Sequence, residues 1–442
     1  MSQQHRSPWL PFLAVTGFVF SAPAFAQGLR QTDADHYTRY ELLAPGTAKF
    51  RIVYEVTATT PGARQYFNPI RRGSIATDEA VYDRTTGKAL PWRVVNGRVA
   101  AAGGVRGADS TGEYIAVDLA RPVPQNGEAR LLIDKTYEDA RSYLAGGDTL
   151  VFTRGLGIKK NSVVLPAGYE LVSVNYPSQV RQEPDGRLQL SFINIGPAEV
   201  PYVVKARRVG GVGAPPTTQR NAARSSERNP PGAISSSSTA SAPTALAPAQ
   251  VDPRRDPRLS ERARQDREIV YFLQPPETSA FDLYHDYTES RPGVGRYLNV
   301  VRAGSRVSNP SAYVLDTGVP ATTRTLRGAA ITQAQVDIGG AVTSESEVVV
   351  IDFTPPAGGE SVRLRISETY TDPARYRLQD GELVWDRAFG RPANAMVLPN
   401  GWSLTNCSVP ATVALTDDGR VRLDFLNPRN DDVSVLVTAR RR

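Results

Sequence analysis

Tyr66, Asn68, Arg71, Tyr137, Asp139, Tyr143 and Arg154 recur, type for type and in the same order, as Tyr297, Asn299, Arg302, Tyr370, Asp372, Tyr376 and Arg387. Tyrosine offers a flat ring with a hydroxyl and arginine a planar fork of donors, a combination suited to a sugar, a peptide or a partner surface. The same residues also have plain structural uses, with Asp139 capping a loop, Asn68 in a turn and the tyrosine hydroxyls tied to backbone. Duplication retains fold residues as readily as site residues, so recurrence nominates these positions without assigning them.

No complete catalytic set accompanies them. Three His and one Cys leave almost no ligands for a zinc site, so no metal or other cofactor is expected. Past residue 26 the histidines are His36 and His285, which fall opposite Arg267 and Tyr54 when the chain is slid on itself, so neither is shared by the repeated unit. The chain has no Gly-x-Ser-x-Gly elbow, and no Ser stands three residues before a Lys. Asp316-Thr317-Gly318 mimics an aspartic-protease loop, where two carboxylates must share one proton. Its repeat partner is Thr85-Thr86-Gly87, which predicts a hairpin turn in both places. Cys407 falls opposite Val174 and reads as a small buried hydrophobe. The stretch Gly103-Gly104-Val105-Arg106-Gly107 lacks the Gly-Lys-Ser/Thr ending of a phosphate loop and reads as a flexible loop. The resulting expectation is a non-catalytic binding or scaffolding protein, the alternative being a hydrolase that uses the shared Tyr and Asp groups.

The segments that carry these residues come in duplicate. Residues 135 to 208 match 368 to 441 at an offset of 233, with roughly 27 identities in 74 positions, and residues 39 to 74 match 270 to 305 at an offset of 231. A short indel near 100 to 112 separates the two blocks. The chain therefore divides into a first copy at 36–208, a second at 267–442, and a linker at 209–266 rich in Ala, Ser, Pro and Arg. The linker has too little apolar area to offset its ordering entropy and is predicted to be disordered. At a root-mean-square reach on the order of 40 Å, it predicts copies that are tethered and not packed together. Within it, Asp256-Pro257 before Leu259-Ser260-Glu261-Arg262 carries the signals of a short helix.

Each copy reads as β structure. Phe50 to Val56 and Leu188 to Phe192 alternate with period two, and Asp185-Gly186 and Asp418-Gly419 sit between alternating runs as hairpin turns. Nine or ten strands per copy and no long helical period give an all-β chain of two tandem homologous β-sandwich domains joined by a disordered linker. An outer-membrane barrel is the competing architecture, but the linker would break its closure and the chain ends in three Arg.

The first 26 residues have the order of a cleavable signal peptide, with Arg6, an apolar stretch from Trp9 to Phe20, and Ala24-Phe25-Ala26 before Gln27. The expected location is periplasmic or extracellular, with no transmembrane segment after signal removal and an unidentified envelope protein or polymer as partner. The net charge of +7 comes mainly from dispersed Arg, the pattern of a solvated surface, so no nucleic-acid partner is expected.

One family resemblance emerges from the strand order. Asp83 to Leu90, Tyr114 to Leu119, Gly127 to Ile133 and then Tyr137 resemble the large β-sandwich preceding the catalytic domain of M1-type zinc aminopeptidases. The second copy repeats the order with Glu347 to Phe353, Gly359 to Ile366 and Tyr370. The resemblance covers about 80 residues of each copy, and the family's His-Glu-x-x-His is absent, which implies the accessory sandwich without the peptidase.

Overall fold

The computed structural model describes residues 30–210, 268–358, 361–429 and 431–442. The signal peptide, the linker past Gly210 with its short helix, and the His36 side chain lie outside the described residues. The first copy contains β1 (Asp33–Leu42), β2 (Lys49–Ala58), β3 (Gln65–Pro69), β4 (Ile75–Asp83), β5 (Trp92–Asn96), α1 (Gly97–Ala102), β6 (Glu113–Asp118), β7 (Ala129–Glu138), β8 (Tyr143–Gly146), β9 (Thr149–Leu156), β10 (Lys160–Val164), β11 (Tyr169–Gln182), β12 (Leu188–Ile193) and β13 (Val200–Arg208). The second contains β14 (Glu268–Leu273), β15 (Ala280–Glu289), β16 (Arg296–Val300), β17 (Arg306–Val314), β18 (Pro320–Arg327), α2 (Ala329–Gln333), β19 (Glu347–Asp352), β20 (Val362–Thr371), β21 (Tyr376–Gln379), β22 (Glu382–Phe389), β23 (Ala393–Val397), β24 (Trp402–Leu415), β25 (Val421–Leu426) and β26 (Val433–Arg441).

The chain is all-β, and the two copies share one strand order. In the first, neighbours run β4, β7, β2, β1, β10, β12, β11, β13, β9, β8, all antiparallel except the parallel pair β1 and β10. The second repeats this as β17, β20, β15, β14, β23, β25, β24, β26, β22, β21, with β14 and β23 parallel. A small sheet of β3, β6 and β5, or β16, β19 and β18, lies beside each. Thirteen strands per copy exceed the nine or ten expected. The surplus comes from short pieces such as β8 and β10, of four and five residues, too brief to show a period.

The alternation of the long strands fixes what faces inward. On β2 it buries Phe50, Ile52, Tyr54 and Val56, and on β9 Leu150, Phe152, Arg154 and Leu156. The sheet curls over so that these two faces meet, with the Phe50 and Phe152 rings edge-on at 5.5 Å. Pro177 and Pro410 lie where β11 and β24 change neighbours, since β11 pairs with β13 up to Val174 and with β12 from Gln179. Proline cannot donate to a ladder, which suits it to that break. Gly87 and Gly318 have φ of 71° and 72° in matching turns, so Asp316-Thr317-Gly318 is the hairpin its register predicted.

The expectation that the copies meet only through the linker does not hold among the described residues. β11 and β24 run antiparallel against each other, with Val174 opposite Val413, Ser178 opposite Ala411 and Val180 opposite Cys407. A shift of 233 turns Val174 into Cys407, Ser178 into Ala411 and Val180 into Val413, so it maps this set of pairs onto itself. The junction is therefore isologous, with a local two-fold at Ser178 and Ala411. Arg442 and Ser403 both reach the Glu170 carboxylate across it, Arg442 Nε at 2.9 Å. Cys407 is buried here as expected, and burial pushes its thiol up to about 12.

Candidate functional site

The inward phase of four strands carries polar residues among the apolar ones. Along β7 the sequence of inward residues is Leu131, Ile133, Lys135, Tyr137, and along β20 it is Leu364, Ile366, Glu368, Tyr370. β9 contributes Arg154, and β22 contributes Arg387 between Trp385 and Phe389. Where the small sheet closes over this end of the large one, each copy has a cavity, of about 540 Å3 in the first and 660 Å3 in the second. Both lie within the range of small-ligand sites.

The two cavities occupy the same place in the repeat. Tyr40, Tyr66, Asn68, Arg71, Tyr137 and Arg154 line the first, and their partners Tyr271, Tyr297, Asn299, Arg302, Tyr370 and Arg387 line the second. Five of the seven recurring residues in each copy thus converge on one pocket. The other two do not reach it. Tyr143 and Tyr376 are core residues whose hydroxyls donate to the Leu43 and Gln274 carbonyls.

Asp139 stands behind Arg154 and accepts from its Nη1 at 3.2 Å, from Ser142 Oγ at 2.8 Å, from Ser74 Oγ at 3.0 Å, and from the amides of Arg141 and Ser142. Burial opposes ionisation here, and the serine and amide hydrogen bonds outweigh it, so the carboxyl stays below its ordinary range. Asp372 holds Arg387 at 3.1 Å and accepts from Ser305 Oγ at 2.8 Å in the same way. These aspartates are positioning residues: they fix two buried guanidinium groups, which also lie over aromatic rings, Arg154 over Phe50 at 5.4 Å and Arg387 over Phe281 at 5.1 Å.

Recurrence missed the positions where the copies differ. Lys135 donates to Asn68 Oδ1 at 2.5 Å, whereas Asn299 donates through Nδ2 to both oxygens of Glu368 at 2.9 and 2.7 Å. One asparagine position thus presents its oxygen to an ammonium and its nitrogen to a carboxylate. Lys135 is 4% and Glu368 3% exposed. Burial, with the Arg154 charge adding to it, pushes the lysine down to about 7, and burial pushes the glutamate up to about 7 against the Asn299 hydrogen bond. Tyr54 and His285 also share a position, with the His285 Nδ1 3.0 Å from Arg391 Nη2. The loop Val105-Arg106-Gly107, past α1, forms part of the first pocket's lining. A charged residue on the inward phase of an apolar strand is a signal visible in Leu131-Leu132-Ile133-Asp134-Lys135-Thr136-Tyr137, and it would have found Lys135.

No cluster of three or more His, Cys, Asp or Glu suited to a metal ion occurs among the described residues. No helix among them is long and apolar enough to cross a membrane.

No protein-family profile matches the chain, and no curated protein matches it. Among solved structures it is similar to an M1 zinc metallopeptidase from Deinococcus radiodurans, at 12% identity and a TM-score of 0.26, over 41% of this chain and 42% of that one. It is also similar to an aminopeptidase N family protein from Idiomarina loihiensis, at 10% identity and a TM-score of 0.25, over 39% of this chain and 29% of that one. The chain spans less than half the length of either structure, so the likeness to zinc aminopeptidases is partial and of low identity.

Proposed function

We propose that this is an exported, non-catalytic binding protein of the cell envelope, whose two related β units each take a small polar group of an envelope polymer into the pocket between their sheets. The observation that supports this is the occurrence of one pocket twice, with tyrosine and arginine at the same register positions in both copies. Rings and guanidinium forks supply stacking and directed hydrogen bonds without a nucleophile. The hydrolase alternative is less well served, because Asp139 and Asp372 are occupied by Arg154 and Arg387. Two sites in one chain raise the effective concentration for the second contact, and the β11 and β24 junction bears on their spacing. Co-sedimentation with purified envelope sacculi tests the reading. Retention of the wild-type chain that is lost in the Arg71→Ala, Arg302→Ala double variant supports it, and equal retention of both, or of neither, refutes it.

A further inference from the structure

The Lys135 ammonium has three N–H groups, and among the described residues it is given one acceptor, Asn68 Oδ1. It lines a cavity with three more cations, Arg71, Arg106 and Arg154, and with two carboxylates, Asp33 and Glu199. Arg154 is matched by Asp139 behind it. A buried cation with spare donors at the wall of a cavity is costly unless an anion completes it. The cavity walls are otherwise tyrosine-rich, which favours a ring-shaped body behind the charged group. At the same place the second cavity presents a carboxylate, Glu368, whose two oxygens face Asn299.

We propose that the first pocket is a binding site for the carboxylate of a ring-bearing organic acid, held by Lys135, and that the second pocket, with Glu368 at that position, does not accept this group. The inference rests on the pockets being binding sites and adds that the duplicate sites have diverged in charge preference. The groups facing the amine are Arg154 on β9, Glu79 on β4, Asn68 on β3 and the Tyr137 ring on its own strand, 4.8 Å away. A bound carboxylate favours the ammonium form, so binding takes up a proton near neutral pH and weakens as pH rises past 7.

The chain has six lysines, all between Lys49 and Lys205, so the full mature chain labelled with 13C-lysine resolves the site directly. Benzoate and glucuronate serve as aromatic and sugar acids, with benzamide and glucose as their uncharged counterparts. The expected result is that at least one acid binds roughly tenfold or more tightly than its neutral counterpart, the lower range for a hydrogen bond to a charged group. The Lys135 ε signal then moves with protonation and the other five stay. Lys135→Met is expected to remove the preference while keeping the neutral probe's affinity, and Glu368→Lys to add a second acid site. Which acid prevails separates the two sources of the carboxylate. Neutral probes binding as well as acids, a shift at a different lysine, or an intact preference in Lys135→Met would overturn the charge assignment and leave the pocket reading standing. No binding by any probe overturns both.

Discussion

Glu368→Gln isolates the buried carboxylate of the second copy. Its raised affinity for protons means that the folded chain holds a proton between pH 4.5 and about 7 that the unfolded chain releases. Stability from this group is therefore present below the ordinary value and is lost as pH rises through about 7. At 1.36 kcal/mol for each tenfold change in proton affinity, the rise from 4.5 to about 7 corresponds to about 3 kcal/mol. Glutamine keeps the shape and a hydrogen-bonding partner for Asn299 and carries no charge to desolvate. The variant should be about 3 kcal/mol more stable than the wild type at pH 8 and within about 0.5 kcal/mol of it at pH 4.5. Urea unfolding followed by tryptophan fluorescence reads this out near the site, because Trp385 and Trp402 are buried in the second copy. An equal difference at the two pH values would rule out a buried carboxylate as the cause, since a packing effect does not titrate in that window.

At the matching position the sign reverses: Lys135→Met should stabilise the chain most below pH 7 and progressively less toward pH 10.5, as hydrogen exchange of β7 amides across that range would show. Asp139→Asn leaves Arg154 buried without its counter-charge and should cost about 3 to 5 kcal/mol in chemical denaturation, more than a surface ion pair would. A site-specific protease sequence placed at Ser235 to Ser238 should, once cut, leave the two halves co-eluting as one species, because β11 and β24 hold them together; halves that separate on size exclusion would show the junction to be too weak to do so.

The all-β character, the duplication and the matching turns were legible along the chain, because these rest on local signals. Period-two alternation in Phe50 to Val56, Asp-Gly pairs at hairpins, and an offset of 233 are all readable along one dimension. Recurrence also nominated Tyr66, Asn68, Arg71, Tyr137 and Arg154, which do converge. It could not separate them from Asp139 and Tyr143, since a residue that holds a guanidinium and one that lines a cavity recur equally well. Recurrence was also blind to Lys135 and Glu368, where the copies differ and the charge inverts. That Lys135 and Asn68 meet at the first cavity follows from the fold alone, because the closure of β3 over β7 joins residues 67 positions apart. The junction between copies was likewise invisible: Val174, Ser178 and Val180 alternate like any strand, and nothing local distinguishes a face that meets its own repeat from one that meets solvent or core.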